Sequence, residues 1–379
     1  MSEKLPDSWK RVKLGEVGKV ITGTTPSKDN PNYWGNEIMF ITPTDYKNYK
    51  KWAFSSERKL SKEGEKALKN KLLPPNSIMV TCIGSDMGKI AMNFFEAITN
   101  QQINSIIVDK KYCYDFIYYQ LKSMEEEIKS LGHSSGSALP ILNKSTFENL
   151  EILIPEDINE QKAIAGILSS LDDKIDLLHR QNKTLEEMAQ TLFRKWFIED
   201  AQEDWEEVSL GDIVEIKYGK NLPTSKLGTE GYPVFGGSGI IGYYINYLYE
   251  EPQVLVSCRG SGSGKVIISE PYSFITNNSF ILERSKNDWF SFEFLKYWAL
   301  NYDFSPYISG SAQPQITIND LFDASIILPK DKTIIRRFSI LTKPIEEKIL
   351  KNKLQIRTLE QLRDTLLPKL MSGEVRVRK

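Results

Sequence analysis

A short motif occurs twice in this chain, and its recurrence limits the possible architecture more than any other feature. Trp9-Lys-Arg-Val12-Lys-Leu14-Gly15-Glu16-Val17 returns as Trp205-Glu-Glu-Val208-Ser-Leu210-Gly211-Asp212-Ile213, 196 positions later. Gly23 and Gly219 keep that offset. Further on, Thr81-Cys82-Ile-Gly84-Ser85-Asp-Met-Gly88-Lys89-Ile90 matches Ser257-Cys258-Arg-Gly260-Ser261-Gly-Ser-Gly264-Lys265-Val266 at an offset of 176. Gly136-Ser137-Ala138-Leu-Pro140 matches Gly310-Ser311-Ala312-Gln-Pro314 at 174, and the strand-like Leu150-Glu-Ile152-Leu-Ile154-Pro155 matches Ala324-Ser-Ile326-Ile-Leu328-Pro329 at the same offset. The chain is two copies of one unit. The first copy is longer by about 20 residues, which fall before the shared cysteine, around the basic stretch 47–71.

Each copy ends in a long helical pattern. In the first the apolar seam is Leu168, Leu171, Ile175, Leu178, Asn182, Leu185, Ala189, Leu192 and Trp196. Its spacings alternate three and four, which is a heptad pattern and needs a partner helix. The offset of 174 supplies that partner: Ile345, Ile349, Asn352, Ile356, Leu359, Leu366 and Leu370, with Thr342 and Arg363 as weaker positions. Each seam holds one asparagine, whose best-attested use in such a place is to fix register. Run antiparallel with Asn182 opposite Asn352, the helices bring Leu178 to Ile356, Leu185 to Ile349 and Ile175 to Leu359. The expected fold is α+β: two similar mixed α/β domains separated by two long helices in an antiparallel intramolecular coiled coil, with pseudo-two-fold repetition. The expected segments are 1–155, 156–199, 200–329 and 330–379. Short apolar runs at 77–83, 105–108, 254–257 and 279–282 read as strands, and 112–131 and 288–301 as amphipathic helices with aromatic faces.

Composition narrows the function. Hydrophobic content of 40% and charged content of 26% describe an ordinary globular chain, and no apolar run is long enough to cross a membrane. Three cysteines, no CxxC and only two histidines, His133 and His179, argue for a reducing, cytoplasmic setting and against a Cys/His metal site. The net charge of −1 averages unlike regions: nine Lys/Arg against three Asp/Glu over 47–71, and six acids with no base over 199–207.

Catalytic signatures are absent. Gly84 to Lys89 and Gly260 to Lys265 have three residues between the glycines and lack the Ser/Thr that a phosphate loop needs after its lysine. They read instead as tight turns between strands, where glycine supplies unusual backbone angles. Cys82 and Cys258 have no histidine near them in either copy and read as core. The Gly132-His133-Ser-Ser-Gly136 segment has no histidine in its second-copy counterpart and reads as a surface loop. Such a chain binds something twice. From Leu168 to Trp196 the seam spans roughly 42 Å at 1.5 Å per residue, of the order of the 34–36 Å turn of duplex DNA. A structural coiled-coil scaffold with two protein-binding modules is the alternative.

Four motifs carry a resemblance over essentially the whole chain. These are the Trp-x-x-Val-x-Leu-Gly-Glu/Asp pair, the Gly-Ser-Ala-x-Pro pair, the Ile154-Pro155 to Glu160-Gln161-Lys162 passage, and Leu366-Leu-Pro-Lys-Leu-Met-Ser-Gly-Glu-Val375. Together with the half-repeat, they make the chain resemble the specificity subunit of a type I restriction-modification enzyme. The resemblance implies a non-catalytic subunit whose two target recognition domains each read half of a bipartite, asymmetric DNA sequence. It implies helices that set the spacer and dock two methyltransferase subunits, with restriction subunits joining in the full complex and no membrane involved. It implies no cofactor in this chain: S-adenosylmethionine, ATP and Mg would belong to the partner subunits. The second helix opens with Lys330-Asp-Lys-Thr-Ile334-Ile-Arg-Arg337 in place of Glu-Gln-Lys, a departure from the pattern at one docking site.

Phosphate contacts favour Lys, Ser, Thr and backbone N–H, and base readout favours Arg, Asn and Gln. Polar loop positions of those types in the first half are Thr24, Thr25, Lys28, Thr44, Lys47, Lys50, Ser85, Lys89, Gln102, Ser135 and Ser137. In the second they are Lys220, Ser238, Arg259, Ser261, Lys265, Asn278, Ser311, Gln313 and Gln315. Tyr33, Trp34, Tyr49 and Trp52 are expected to pack in their own domain.

Overall fold

The structure, a computed structural model, describes residues 6–27, 29–84, 86–133, 141–284, 289–310 and 313–377. The chain divides into two compact units: Met1–Leu177 with Arg357–Lys379, and Leu178–Ile356. Each unit holds one globular domain and takes half of each long helix with it. Those helices are Ile158–Arg194 and Thr333–Met371.

In the first unit a five-stranded sheet runs in the order Gly18–Thr22, Ile103–Val108, Ile78–Thr81, Ile90–Asn93, Trp52–Ala53. The first four strands are antiparallel neighbours and the last pairs in parallel. A second sheet contains Ile38–Ile41 and Ala97–Thr99 side by side in parallel. Trp9–Lys13 pairs with Glu151–Pro155, which closes the domain and leads into the first long helix. The second unit repeats this topology: Glu215–Tyr218, Ser279–Glu283, Val254–Ser257 and Val266–Ile268 form the antiparallel sheet. Tyr232–Gly236 and Phe274–Ile275 form the parallel pair, and Glu206–Ser209 with Ser325–Leu328 closes the domain. The strands Ile78–Thr81 and Val254–Ser257 are buried along their whole length, which is why they read as continuous apolar runs and not as alternating ones.

The 47–71 stretch that lengthens the first copy contains Trp52–Ala53, the fifth strand of the main sheet, for which the second unit has no counterpart among the described residues, and a helix, Lys62–Ala67, capped by the Ser61 hydroxyl. Two of its cations are engaged inside the domain. Lys51 is buried against Asp115 at 2.7 Å, and Arg58 lies 5.0 Å over the Trp34 ring.

Two expected helices differ in extent. The one expected over 112–131 is two helices, Tyr114–Ser123 and Glu125–His133, parted at Met124, whose ψ of 10° leaves the helical range. The one expected over 288–301 begins at Phe292, because the Ser291 hydroxyl accepts the Phe294 N–H and caps it.

In the second unit the long helices run antiparallel. Asn352 donates through Nδ2 to Asn182 Oδ1 at 2.8 Å, and Asn182 Nδ2 donates to the Ile349 carbonyl at 3.4 Å. Leu178, Ile349 and Ile356 are buried around them. Toward the domain the heptad expected through Leu185, Leu192 and Trp196 gives way. These three are half-buried; the seam position Ala189 is buried as expected, but at steps of four from it the buried residues are Phe193 and Phe197, which lie outside the seam. The first helix here faces the domain core as well as its partner helix, so it needs a broader apolar face. Phe193 and Phe197 meet Phe294 at ring-centroid distances of 5.6 and 4.8 Å, and Phe338 at 5.8 and 5.3 Å. Full burial of each ring contributes about 1.5–3 kcal/mol. In the first unit Leu168, Leu366 and Leu370 join the main core, and Ile175 is buried. Leu171, Leu359 and Arg363 are half-buried there, as Ile345 is in the second unit.

Candidate nucleic-acid interface

Strand register decides which loops meet. In the first unit Thr22 pairs with Asn104, Thr81 with Ile103 and Val80 with Ile90. The C-terminal ends of two strands therefore lie beside the N-terminal ends of two others, and the loops that serve them gather at one end of the sheet. Thr24, Thr25, Lys89 and Gln102 come together there. Thr24 N–H donates to the Thr99 carbonyl at 2.8 Å, and the Thr25 hydroxyl donates to Gln101 Oε1 at 2.7 Å. Asn100 Nδ2 donates to Gln102 Oε1 at 2.8 Å, and the Gln102 carbonyl accepts the Cys82 N–H. The 3-10 turn Pro43–Asn48 joins this end through the Asn100 N–H to Ile41 carbonyl bond. It carries Thr44, bonded to Thr42, and exposed Lys47.

The second unit builds the same sheet end. Ser257 pairs with Ser279, and Tyr218 with Phe280. Lys220 N–H donates to the Ile275 carbonyl, and Cys258 N–H to the Asn278 carbonyl. Lys265 Nζ donates to the Ser238 carbonyl at the tip of the hairpin between Tyr232–Gly236 and Gly239–Tyr244. Arg259 and Gln315 face each other in an antiparallel bridge. Lys220, Ser238, Arg259, Ser261, Lys265, Asn278, Gln313 and Gln315 are all exposed. The Arg259 guanidinium makes no hydrogen bond or ion pair among the described residues.

Both turns beside these positions have one construction. Gly84 and Gly88 have φ of 89° and 92°, Gly260 and Gly264 of 80° and 82°. Gly88 N–H donates to Thr81 and Gly264 N–H to Ser257, each across the turn. These angles exclude most side chains, so the repeated glycines serve the turn. Cys82 and Cys258 are buried directly before it. Burial pushes the Cys82 thiol up to about 12 and raises that of Cys258, which leaves both protonated and unreactive at neutral pH.

Lys50 is not part of this surface. Its Nζ lies 3.9 Å from Glu360 of the second long helix, and burial lowers its pKa while Glu360 works to raise it. Lys28, Ser85, Ser135, Ser137 and Ser311 lie outside the described residues. Two features went unseen in the sequence. Lys71 Nζ donates to the Thr22 carbonyl at 3.0 Å, which puts an additional cation at the first sheet end. Ile83 and Ile141 form the first-unit counterpart of the Arg259–Gln315 bridge, with Ile141 exposed at 41%. The offsets of 176 and 174 would have found that pair; chemical type hid it. Among the described residues no cluster of His, Cys, Asp and Glu could hold a metal ion, and no helix is long and apolar enough to cross a membrane.

A family model described as type I restriction modification DNA specificity domain matches residues 6–187 and again 202–355. The type I restriction enzyme MjaIX specificity subunit of Methanocaldococcus jannaschii is 29% identical over 417 aligned positions, covering 99% of this chain and 95% of that protein. The HindI specificity subunit of Haemophilus influenzae is 34% identical over 194 positions, 50% of this chain and 40% of that one. The crystal structure of a type I restriction-modification S subunit from M. genitalium superimposes with a TM-score of 0.67, covering 97% of this chain and 98% of that one. At 21% identity, this last likeness is one of fold.

Proposed function

Because this chain belongs to the type I restriction-modification DNA specificity family, we propose that it is the sequence-recognition subunit of such an enzyme and contributes no catalytic group itself. Each domain reads one half of a bipartite target. The observation that carries this reading is the repeated sheet end: one backbone built twice, with different polar and apolar side chains on it. Contacts to phosphate would hold each domain on the duplex, and side chains on the sheet end would read base edges. In the first half Thr24, Thr25, Thr44, Lys47, Lys71, Lys89 and Gln102 supply this surface. In the second Lys220, Ser238, Arg259, Ser261, Lys265, Asn278, Gln313 and Gln315 do.

The long helices would dock two methyltransferase subunits, which would bring S-adenosylmethionine for adenine methylation. Restriction subunits would add ATP-driven cleavage with Mg. Sequencing the methylated positions of a genome with and without this gene tests the proposal. A bipartite motif with an unspecified spacer should be modified only when the gene is present. No gene-dependent motif, or methylation by the isolated chain, would overturn it.

A further inference from the structure

Between each sheet and its long helix lies a short aromatic helix, Tyr114–Ser123 in one unit and Phe292–Asn301 in the other. The sixth residue of each is a tyrosine exposed by only 1%, Tyr119 and Tyr297. Each hydroxyl donates to a carboxylate on a long helix: Tyr119 to Asp172 Oδ2 at 2.6 Å, and Tyr297 to Glu346 Oε1. Asp172 and Glu346 stand 174 positions apart, the offset of the helices themselves. Their side chains keep only 14% and 16% of their exposure.

A carboxylate removed from water to that degree needs a cation, and the two units find it differently. Asp172 receives Arg363 Nη1 at 2.9 Å from the other long helix. Glu346 receives Lys296 Nζ at 2.7 and 2.6 Å on its two oxygens. A lysine also caps each tyrosine ring at 4.9 Å: Lys296 over Tyr297, and Lys51 over Tyr119. Lys51 reaches the ring from the lengthened part of the first domain and ties to the long helix directly, donating to Ser169 Oγ at 2.8 Å. The same three-part arrangement of ring, carboxylate and cation is thus assembled from non-equivalent cations.

Apolar packing alone would hold a domain against a helix but tolerates sliding and rotation, whereas a buried charged network is satisfied at one geometry. We infer that Tyr119 with Asp172 and Tyr297 with Glu346 are positioning pairs, which fix the angle at which each domain presents its sheet end and so restrict the half-site spacing that the subunit accepts. This inference rests on the DNA-recognition reading above.

The test uses the complex of the full-length chain with its methyltransferase subunits and a library of duplexes in which both half-sites are kept and the spacer length varies. The native complex should methylate one spacer length in strong preference. With Tyr119→Phe, Tyr297→Phe or Glu346→Gln, the ratio of that length to lengths one base pair longer or shorter should fall about tenfold, the scale of one hydrogen bond to a charged group. The half-site bases should stay unchanged. An unaltered ratio, or an equal loss at every length, would overturn the inference, since a merely stabilising contact gives the latter. Phenylalanine keeps the ring and its packing; Asp172→Asn repeats the test should Tyr119→Phe fail to fold. If the native complex methylates no member of the library, the DNA-recognition reading fails and this inference with it.

Discussion

The two sheet ends share a backbone and differ in chemistry. Strand register, turn glycines, buried cysteine and the closing bridge correspond position by position. On that frame the first unit places Thr24 where the second has Lys220, and Ile83 with Ile141 where the second has Arg259 with Gln315. The first unit's Lys89 is held by Asp86 at 2.6 Å. The second has Gly262 in the place of Asp86, so Lys265 has no carboxylate partner among the described residues and donates to the Ser238 carbonyl. At this turn the first surface pairs its lysine with an acid and carries an apolar pair beside it, whereas the second has a lysine and an arginine with no acid at the corresponding position. The frame therefore sets where a base edge would lie, and side chains at a few equivalent positions decide what is read there. An apolar pair suits a thymine methyl, and an Arg/Gln pair suits purine edges.

The shared frame predicts the largest effect. A Cβ on Gly23 would lie 2.1 Å from the Asn100 carbonyl oxygen, and one on Gly219 would lie 2.2 Å from that of Thr276. Backbone cannot yield there, so Gly23→Val and Gly219→Val should each cost about 3 kcal/mol or more, read from denaturant titration. Similar losses would sharpen the comparison, and a clear tolerance in one unit would break it. The next effect is one of specificity. Arg259→Ala should relax one base position of the second half-site at a cost of about 1–3 kcal/mol, measured by competition among single-base variants of the target. Ile83→Ala should cost about 1 kcal/mol or less and act on the first half-site only. Loss of discrimination in the half-site opposite to the one mutated would refute the assignment.

Much of this frame was legible in the sequence, because strands, turns and seam asparagines leave periodic or repeated marks. The turn between Gly84 and Gly88 needed positive φ at both ends, and only glycine supplies that cheaply. What stayed hidden depends on partners distant in sequence. Lys51 and Lys50 look like members of a basic patch until Asp115 and Glu360 come to face them. Phe193 and Phe197 step out of the heptad because a domain core, absent from any local pattern, lies against the helix. The tyrosine–carboxylate pairs escaped notice for a third reason. Asp172 and Glu346 repeat, but their cations come from different elements, so similarity of sequence stops short of similarity of contact.

The smallest predicted effect isolates charge from shape. Each phosphate neutralised by a protein cation releases counterions, and its loss lowers the slope of log affinity against log salt by about 0.9. Lys265→Ala in the assembled methyltransferase complex should show that change, measured by DNA binding across a salt series. Lys89→Ala should change the slope clearly less, because Asp86 already opposes that charge at 2.6 Å. Asp86→Asn then becomes the informative reversal. It leaves the first turn with an unopposed lysine, as Gly262 leaves the second, and should raise both affinity at low salt and the salt slope. An unchanged slope in Asp86→Asn would mean that Lys89 meets no phosphate, and the electrostatic half of the comparison would fail while the shared backbone stood.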